Sequence, residues 1–372
     1  MSRQGLESTE DRPAVRQESA PDAERPALSG EIALSLKTKP FRPHPLFRNG
    51  HAQTLAAFVW PRRSRLQSAQ SADEARLFEV EDGVSLLAHC RWQRDHLAHP
   101  TMVLVHGLEG SSESIYMLGT ADKAFRAGFN VLRTNMRNCG GTEHLTPTLY
   151  NSGMSGDFRA VLRELIERDR LPSIFLVGFS MGGNVVLKLA GEDGTDAPEE
   201  LAGVCAVSPA LDLGACADRI EHRSNWLYQK RFINSLHRRM HTKRKLHPDL
   251  YDISDLHMVR TIRDFDERFT AVHGGYESAV DYYQRASALQ FVHRISRPTL
   301  ILHAQDDPFV PFQSFRHPSI TDNSHVTLLA PRHGGHVGFI AEDGSRRDED
   351  RFWGENRIVE FCLLVHRGAC RA

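Results

Sequence analysis

The sequence predicts an α/β protein: a mostly parallel central sheet with helices on both faces, and a helical insertion that caps one edge. Three observations carry this. Short apolar runs alternate with amphipathic stretches of helical period along most of the chain. Those apolar runs are continuous, the pattern of strands covered on both faces. Between about residues 213 and 297 the alternation stops, and aromatic and basic residues recur at helical spacing with no strand signal.

The chain of 372 residues is long enough for one large domain, or one domain with an inserted piece. Its 46 Lys and Arg balance 47 Asp and Glu to a net charge of -1, so no global field points to nucleic acid. Cys90, Cys139, Cys205, Cys216, Cys362 and Cys370 are irregularly spaced and form no Cys-x-x-Cys pair. They read as core or surface thiols, not as a disulfide frame or a zinc site. No apolar run approaches the roughly 18 residues of a membrane span, and the N-terminus lacks a signal-peptide core. The expected location is cytoplasmic.

Residues 1–30 are polar, mixed in charge and dotted with proline, and read as a disordered arm. The domain is expected over 31–372. Within 41–63, prolines and aromatics suggest an ordered segment wrapped on the domain, with Asn49-Gly50 as a turn signal. His51 and Gln53 read as packing residues there, with a place at a site as the alternative. Asp82-Gly83 between two apolar-rich runs predicts a hairpin at the sheet edge. A strand at 101–105 runs into His106-Gly107-Leu108-Glu109-Gly110, whose small residues let the backbone approach a ligand. A helix at 114–127, a strand at 129–135, the loop Arg137-Asn138-Cys139-Gly140-Gly141 and a helix at 156–169 follow.

Next, four apolar residues from Ile174 lead into Gly178-Phe179-Ser180-Met181-Gly182-Gly183-Asn184, and 185–190 continue apolar. This is a strand, a turn too tight for side chains at the glycines, and a helix. The turn would hold Ser180 Oγ clear of the sheet and aim Met181 N–H at an incoming carbonyl oxygen. After a strand at 203–209 and the insertion, strands are predicted at 298–303 and 325–329 and a closing helix at 352–366. The insertion carries a basic run at 238–245. It reads as a solvated helix face; attraction to an anionic lipid surface or an acidic substrate is the alternative.

A serine hydroxyl near neutral pH needs a base within hydrogen-bond reach, and that base needs an orienting acid. Here a serine ends one strand, Asp306-Asp307 follows a later one, and His333 and His336 follow the last. Serine, aspartate, histidine is the chain order of α/β-hydrolases, and all three would lie at the C-terminal edge of the sheet. Asp307, before Pro308, is preferred as the acid; Asp306 can instead cap the turn. His336, among glycines that let its ring swing over the serine, is preferred to His333. Leu108 N–H is the candidate second oxyanion donor beside Met181 N–H. Glu109 is a weaker candidate for a polar contact to substrate. Phosphate-loop, dinucleotide and metal-ligand spacings are missing from the sequence, so no cofactor and no metal are expected.

These motifs together resemble the YheT-like branch of the α/β-hydrolases. The resemblance rests on His44-Pro45, Asn49-Gly50-His51-Ala52-Gln53-Thr54, His106-Gly107-Leu108-Glu109-Gly110, the Arg137 and Ser180 motifs, Asp306-Asp307-Pro308, and 333–339. It spans about residues 40–366. It implies a carboxylic ester hydrolase with Ser180, Asp307 and His336 as catalytic triad. Eukaryotic relatives of the branch include phospholipases and medium-chain acyl ester synthases and hydrolases. Many of those carry an N-terminal membrane anchor, where this chain has a polar arm. The reading is a serine esterase acting on a small-molecule acyl ester. An acyltransferase with an alcohol acceptor and a non-catalytic binding protein on the same fold are the alternatives.

Overall fold

The structure, a computed structural model, describes residues 24–62, 73–342 and 348–369. Residues 1–23 of the polar arm lie outside the described residues. The rest of that arm opens a helix, α1 (Glu24–Lys37). Its Ile32 and Leu36 are buried against the domain.

Eight strands form one sheet in the order β1-β2-β4-β3-β5-β6-β7-β8. They are β1 (Glu74–Glu81), β2 (Val84–Arg91), β3 (Thr101–Val105), β4 (Asn130–Thr134), β5 (Ile174–Phe179), β6 (Leu201–Val207), β7 (Thr299–Leu302) and β8 (Val326–Leu329). The hairpin β1–β2 turns at Gly83, which adopts φ 67°. It is antiparallel and joins β4 antiparallel. Every other pairing is parallel. The central strands β3 and β5 are buried throughout, as their continuous apolar runs require.

Side chains leave alternate faces of each strand. Val103, Val105, Ile174 and Leu176 face one layer, with Phe158, Val161 and Leu165 of α4 (Ser155–Glu167) and Val185, Val186 and Leu189 of α5 (Met181–Asp193). Met102, Leu104, Phe175 and Val177 face the other. There they meet Met117 and Ala121 of α3 (Ile115–Arg126) and Ile358, Phe361 and Val365 of α12 (Trp353–Ala369). α2 (Gly50–Val59) lies before the first strand.

Between β6 and β7 the chain builds α6 (Leu213–Glu221), α7 (Trp226–Leu246), α8 (Ile262–Phe265), α9 (Ala271–Gly274) and α10 (Ala279–Ala286). Ile233, Leu236 and Met240 of α7 form a small core with Tyr251, Leu256, Phe265 and Phe269. Leu149, from the loop between β4 and α4, closes that core from below. The short α11 (Pro318–Thr321) joins β7 to β8.

Candidate active site

β5 delivers Ser180 to the N-terminus of α5. Ser180 sits at φ 54° and ψ -114°, a conformation an L-residue adopts only under constraint. Its N–H donates to Val207 O at 2.8 Å, and its carbonyl accepts from Asn184 N–H at 3.1 Å and Ala210 N–H at 3.2 Å. A Cβ on Gly178 would strike the Gly182 backbone, and one on Gly182 would strike the carbonyls of Val105 and His106. Backbone therefore packs on backbone where Ser180 leaves the sheet. Asn184 completes the elbow. Its buried amide donates to Ser152 O at 3.0 Å and Ala286 O at 2.8 Å and accepts from Ala288 N–H at 2.7 Å.

The loop after β3 passes directly over this turn. A Cβ on Gly107 would stand 3.0 Å from Ser180 Cβ. His106 is fully buried beneath the loop. Its Nδ1 lies 2.7 Å from Gly107 O and its Nε2 accepts from Met136 N–H at 3.0 Å. That pairing fixes the neutral Nδ1–H tautomer. Burial pushes the imidazole down to about 4. The role of His106 was not readable from its motif, because a histidine after a strand gives no sign of what lies above it. Leu108 and Met181 both line the cavity over Ser180. Met181 N–H is the first of α5 and has no carbonyl within the helix to bond.

Glu109 lines the cavity, but its carboxylate is already engaged by protein partners. It sits at φ 55° with its carboxylate buried. Its partners are Tyr150 OH at 2.8 Å, Arg239 at 2.9 Å and the Ser235 hydroxyl. Burial alone would raise its pKa; the Arg239 charge and these hydrogen bonds outweigh burial and hold it below the usual range. Arg239 and Ser235 belong to α7, so the loop after β3 is tied to the helices above it.

The two aspartates after β7 have separate jobs. Asp307 is 3% exposed. Its Oδ1 accepts from Phe309 N–H at 2.8 Å and Val310 N–H at 3.0 Å, and its Oδ2 lies 2.9 Å from His336 Nδ1. Burial raises this carboxyl, but His336 and the backbone donors prevail and its pKa is lowered. Asp306 turns the other way, 3.1 Å from His333 Nδ1 and 2.9 Å from Gly335 N. Ser180 and His336 line the same cavity, and Asp307 sits behind His336, away from the lining.

The loop carrying His336 is strained and firmly held. Val337 and Phe339 adopt φ 56° and 50°, unusual for a β-branched and for an aromatic residue. Val337 N–H donates to Ser208 Oγ at 3.1 Å, and His336 N–H donates to Thr54 Oγ1 at 2.9 Å. Gln53 is buried; its amide donates to Phe47 O and Ile340 O and accepts from Ile340 N–H at 2.7 Å. Thr54 and Gln53 lie on α2, whose first helical residue, Gly50, backs onto the carbonyl of Asp306 where a Cβ could not fit. Asn49-Gly50 therefore starts a helix: Asn49 Oδ1 caps it, accepting from His51 N–H at 2.9 Å. His51 stacks on Tyr228 of α7, with ring centroids 5.8 Å apart.

A cavity of about 410 Å³ stands over Ser180. Leu213, Ile220, Phe232, Leu236, Phe265 and Phe309 give it apolar walls. The basic run of α7 divides. Arg239 and Lys243 turn inward, Lys243 donating to Thr146 O at 2.5 Å, while Arg238 and Lys245 face out. The five described cysteines are buried thiols. No helix of the described residues is long and apolar enough to cross a membrane.

A mostly parallel sheet with a serine at a strand-to-helix elbow, sharing its cavity with an aspartate-backed histidine, defines an α/β-hydrolase. A family model described as the alpha/beta hydrolase fold matches residues 100–343. The chain is 34% identical over 318 residues to "Putative esterase YheT" of Escherichia coli (strain K12), covering 85% of this chain and 90% of that protein. It is 30% identical over 247 residues to "Phospholipase ABHD3" of Mus musculus, 66% of this chain but 60% of that protein. It is 29% identical over 281 residues to the monoacylglycerol lipase of Saccharomyces cerevisiae, 72% of this chain and 60% of that one. Among solved structures, the Pyrococcus furiosus esterase Pf2001 superposes with TM-score 0.53 at 16% identity, over 87% of this chain and 97% of that one. The chain belongs to the α/β-hydrolase family, in its YheT-like branch.

Proposed function

We propose that this protein is a serine hydrolase that cleaves carboxylic esters through an acyl-enzyme on Ser180. The observation that carries the reading is the His336–Asp307 pair at 2.9 Å, set behind the cavity that Ser180 enters from its strained elbow. Asp307 holds the ring with Nδ1–H toward the carboxylate, which leaves Nε2 free to accept the Ser180 proton. Ser180 Oγ attacks the ester carbonyl carbon, and Leu108 and Met181 N–H groups receive the developing oxyanion. His336 returns the proton to the departing alcohol oxygen as the acyl C–O bond breaks. Water, deprotonated by His336, then attacks the acyl-serine, and the acid leaves as Ser180 regains its proton. The names of the relatives, an esterase, a phospholipase and a monoacylglycerol lipase, support an acyl ester as substrate.

The apolar walls favour an acyl chain over a polar group. The cavity falls within the roughly 300–1,000 Å³ of small-molecule sites. Each methylene buried there contributes about 0.8 kcal/mol of transfer. Medium-length acyl chains should therefore exceed acetyl in kcat/KM. The test joins fluorophosphonate labelling to a p-nitrophenyl ester series. The probe should label the wild type and not Ser180→Ala, whose ester turnover should fall about a thousandfold or more. Turnover that survives in Ser180→Ala would refute the mechanism. A kcat/KM that falls steadily from acetyl to octanoyl would refute the acyl channel.

A further inference from the structure

Two helices frame the opening of the cavity, and both turn apolar or cationic side chains to solvent. α2 carries no charged residue. Its buried positions are Gly50, Gln53, Thr54, Ala56 and Ala57. Its large apolar residues Leu55, Phe58 and Val59, at helical spacing i, i+3 and i+4, are 55%, 49% and 80% exposed. That inverts the usual amphipathic arrangement, in which such a stripe faces the core. At the start of α7, Trp226 and Leu227 are 59% and 61% exposed.

The two helices are neighbours. The Arg231 guanidinium lies over the Phe58 ring at 5.8 Å, and His51 Nδ1 is 3.4 Å from Tyr228 OH. Leu55, Phe58, Arg231 and Arg238 are exposed and also line the cavity, so they mark its mouth. α7 has no Asp or Glu in its 21 residues. Among the described residues, Lys230, Arg231 and Arg238 have no carboxylate partner. The chain as a whole is close to neutral, so this cationic rim is a local concentration set around an apolar patch.

We infer that the rim formed by α2 and the first turns of α7 docks the protein on an anionic lipid surface, with the cavity mouth facing the bilayer. Leu55, Phe58, Val59, Trp226 and Leu227 would enter the boundary between headgroups and acyl chains. Lys230, Arg231 and Arg238 would meet lipid phosphates. An apolar patch ringed by unpaired cations is complementary to such a surface: it offers hydrocarbon and negative charge within a few ångströms of each other. A protein partner would have to supply both in the same order. The sequence places the lipid alternative on the run 238–245, but two of its cations are buried; the docking face keeps Arg238 of that run and otherwise lies further toward the N-terminus of α7. The inference rests on the ester-hydrolase reading only in saying what the mouth admits, a lipid-borne acyl ester.

Full-length Ser180→Ala protein, sedimented with vesicles, tests the surface without turnover. Binding is expected to phosphatidylcholine vesicles containing phosphatidylglycerol, to be weaker on phosphatidylcholine alone, and to fall as salt rises. The triple variant Val59→Ser, Trp226→Ser, Leu227→Ser should lose about tenfold or more of the partitioning. Lys230→Glu should weaken binding to the anionic vesicles and flatten the salt dependence. None of these four residues lines the cavity, so the same substitutions on the Ser180 background should leave hydrolysis of a soluble short-chain ester unchanged, which also reports that they fold. Failure of wild type to bind either vesicle, or binding retained in full by the triple variant, overturns the inference. Absence of soluble-ester hydrolysis in the wild type would strike the ester-hydrolase reading and leave the vesicle measurement to stand by itself.

Discussion

Two adjacent aspartates and two nearby histidines present the same chemistry in the sequence, and burial separates them. Asp307 faces inward, where two backbone N–H groups and His336 meet its oxygens. Asp306 and the 41%-exposed His333 side chain pair at the surface of the loop. Asp307→Asn should therefore lower ester turnover by on the order of a thousandfold, because an amide would favour the wrong imidazole tautomer. Asp306→Asn should cost less than about tenfold. His336→Ala and His333→Ala should divide in the same way. Steady-state kinetics on the four variants decides it; an Asp306→Asn variant as damaged as Asp307→Asn would reverse the assignment. The Asp-Pro turn and the glycines around His336 are the sequence's grounds for preferring Asp307 and His336; the structure brings these two side chains together at 2.9 Å. His106 was not legible: its function is to fill space under Gly107 and accept from Met136 N–H, a contact across 30 residues that no local motif announces.

A long hydrophobic period specifies an element plainly; a dipeptide that suits two structures does not. β3 and β5 could be placed from their unbroken apolar runs. α2 is not legible in the sequence because Asn-Gly suits a turn as well as a helix start, and only the Asn49 cap and the close approach of Gly50 to Asp306 distinguish them. That helix is the brace that holds the His336 loop, through Thr54 and Gln53. A second brace joins the loop after β3 to α7. The Glu109 and Arg239 side chains are 6% and 9% exposed. Glu109→Gln would keep the hydrogen-bonding shape but leave the buried guanidinium with only the more distant Glu143, 3.9 Å away, as counter-charge. The expected loss is about 3 kcal/mol or more of unfolding free energy. Because Leu108 is the neighbouring residue, kcat should fall more than KM changes. Denaturant unfolding and the split of kcat from KM test both parts. A variant within about 0.5 kcal/mol of wild type would show that the pair is not a brace.

At the scale of the whole molecule, the sheet carries two kinds of buried group toward the cavity edge, and both make stability depend on pH in one direction. His106 and His303 are fully buried, and burial moves both from 6.5 to about 4. His303 lies under the Asp307 turn, stacked on Phe315 with centroids 3.8 Å apart. In the unfolded chain each regains its ordinary value. Between pH 6.5 and pH 4 the unfolded state then binds protons that the folded state excludes, so stability is whole above this window and falls as pH drops through it. Each histidine can account for on the order of 3 kcal/mol at the acid end. His89 and His273, whose values burial also lowers, act with the same sign. Glu109 and Asp307 are held below their ordinary 4.5 and 3.8, so their contribution is present above those values and is lost only as pH falls further. The order of loss is thus set: histidines first, these two carboxylates later. Asp266, raised by burial to about 6, acts with the opposite sign between about pH 6 and 3.8 and offsets part of what the histidines lose there. Denaturant unfolding of the Ser180→Ala protein at stepped pH should show a decline beginning below about pH 6.5, well before acid reaches the carboxylates. An unfolding free energy that stays flat from pH 7 to pH 5 would mean that the loop after β3 and the turn after β7 do not rest on neutral, buried imidazoles.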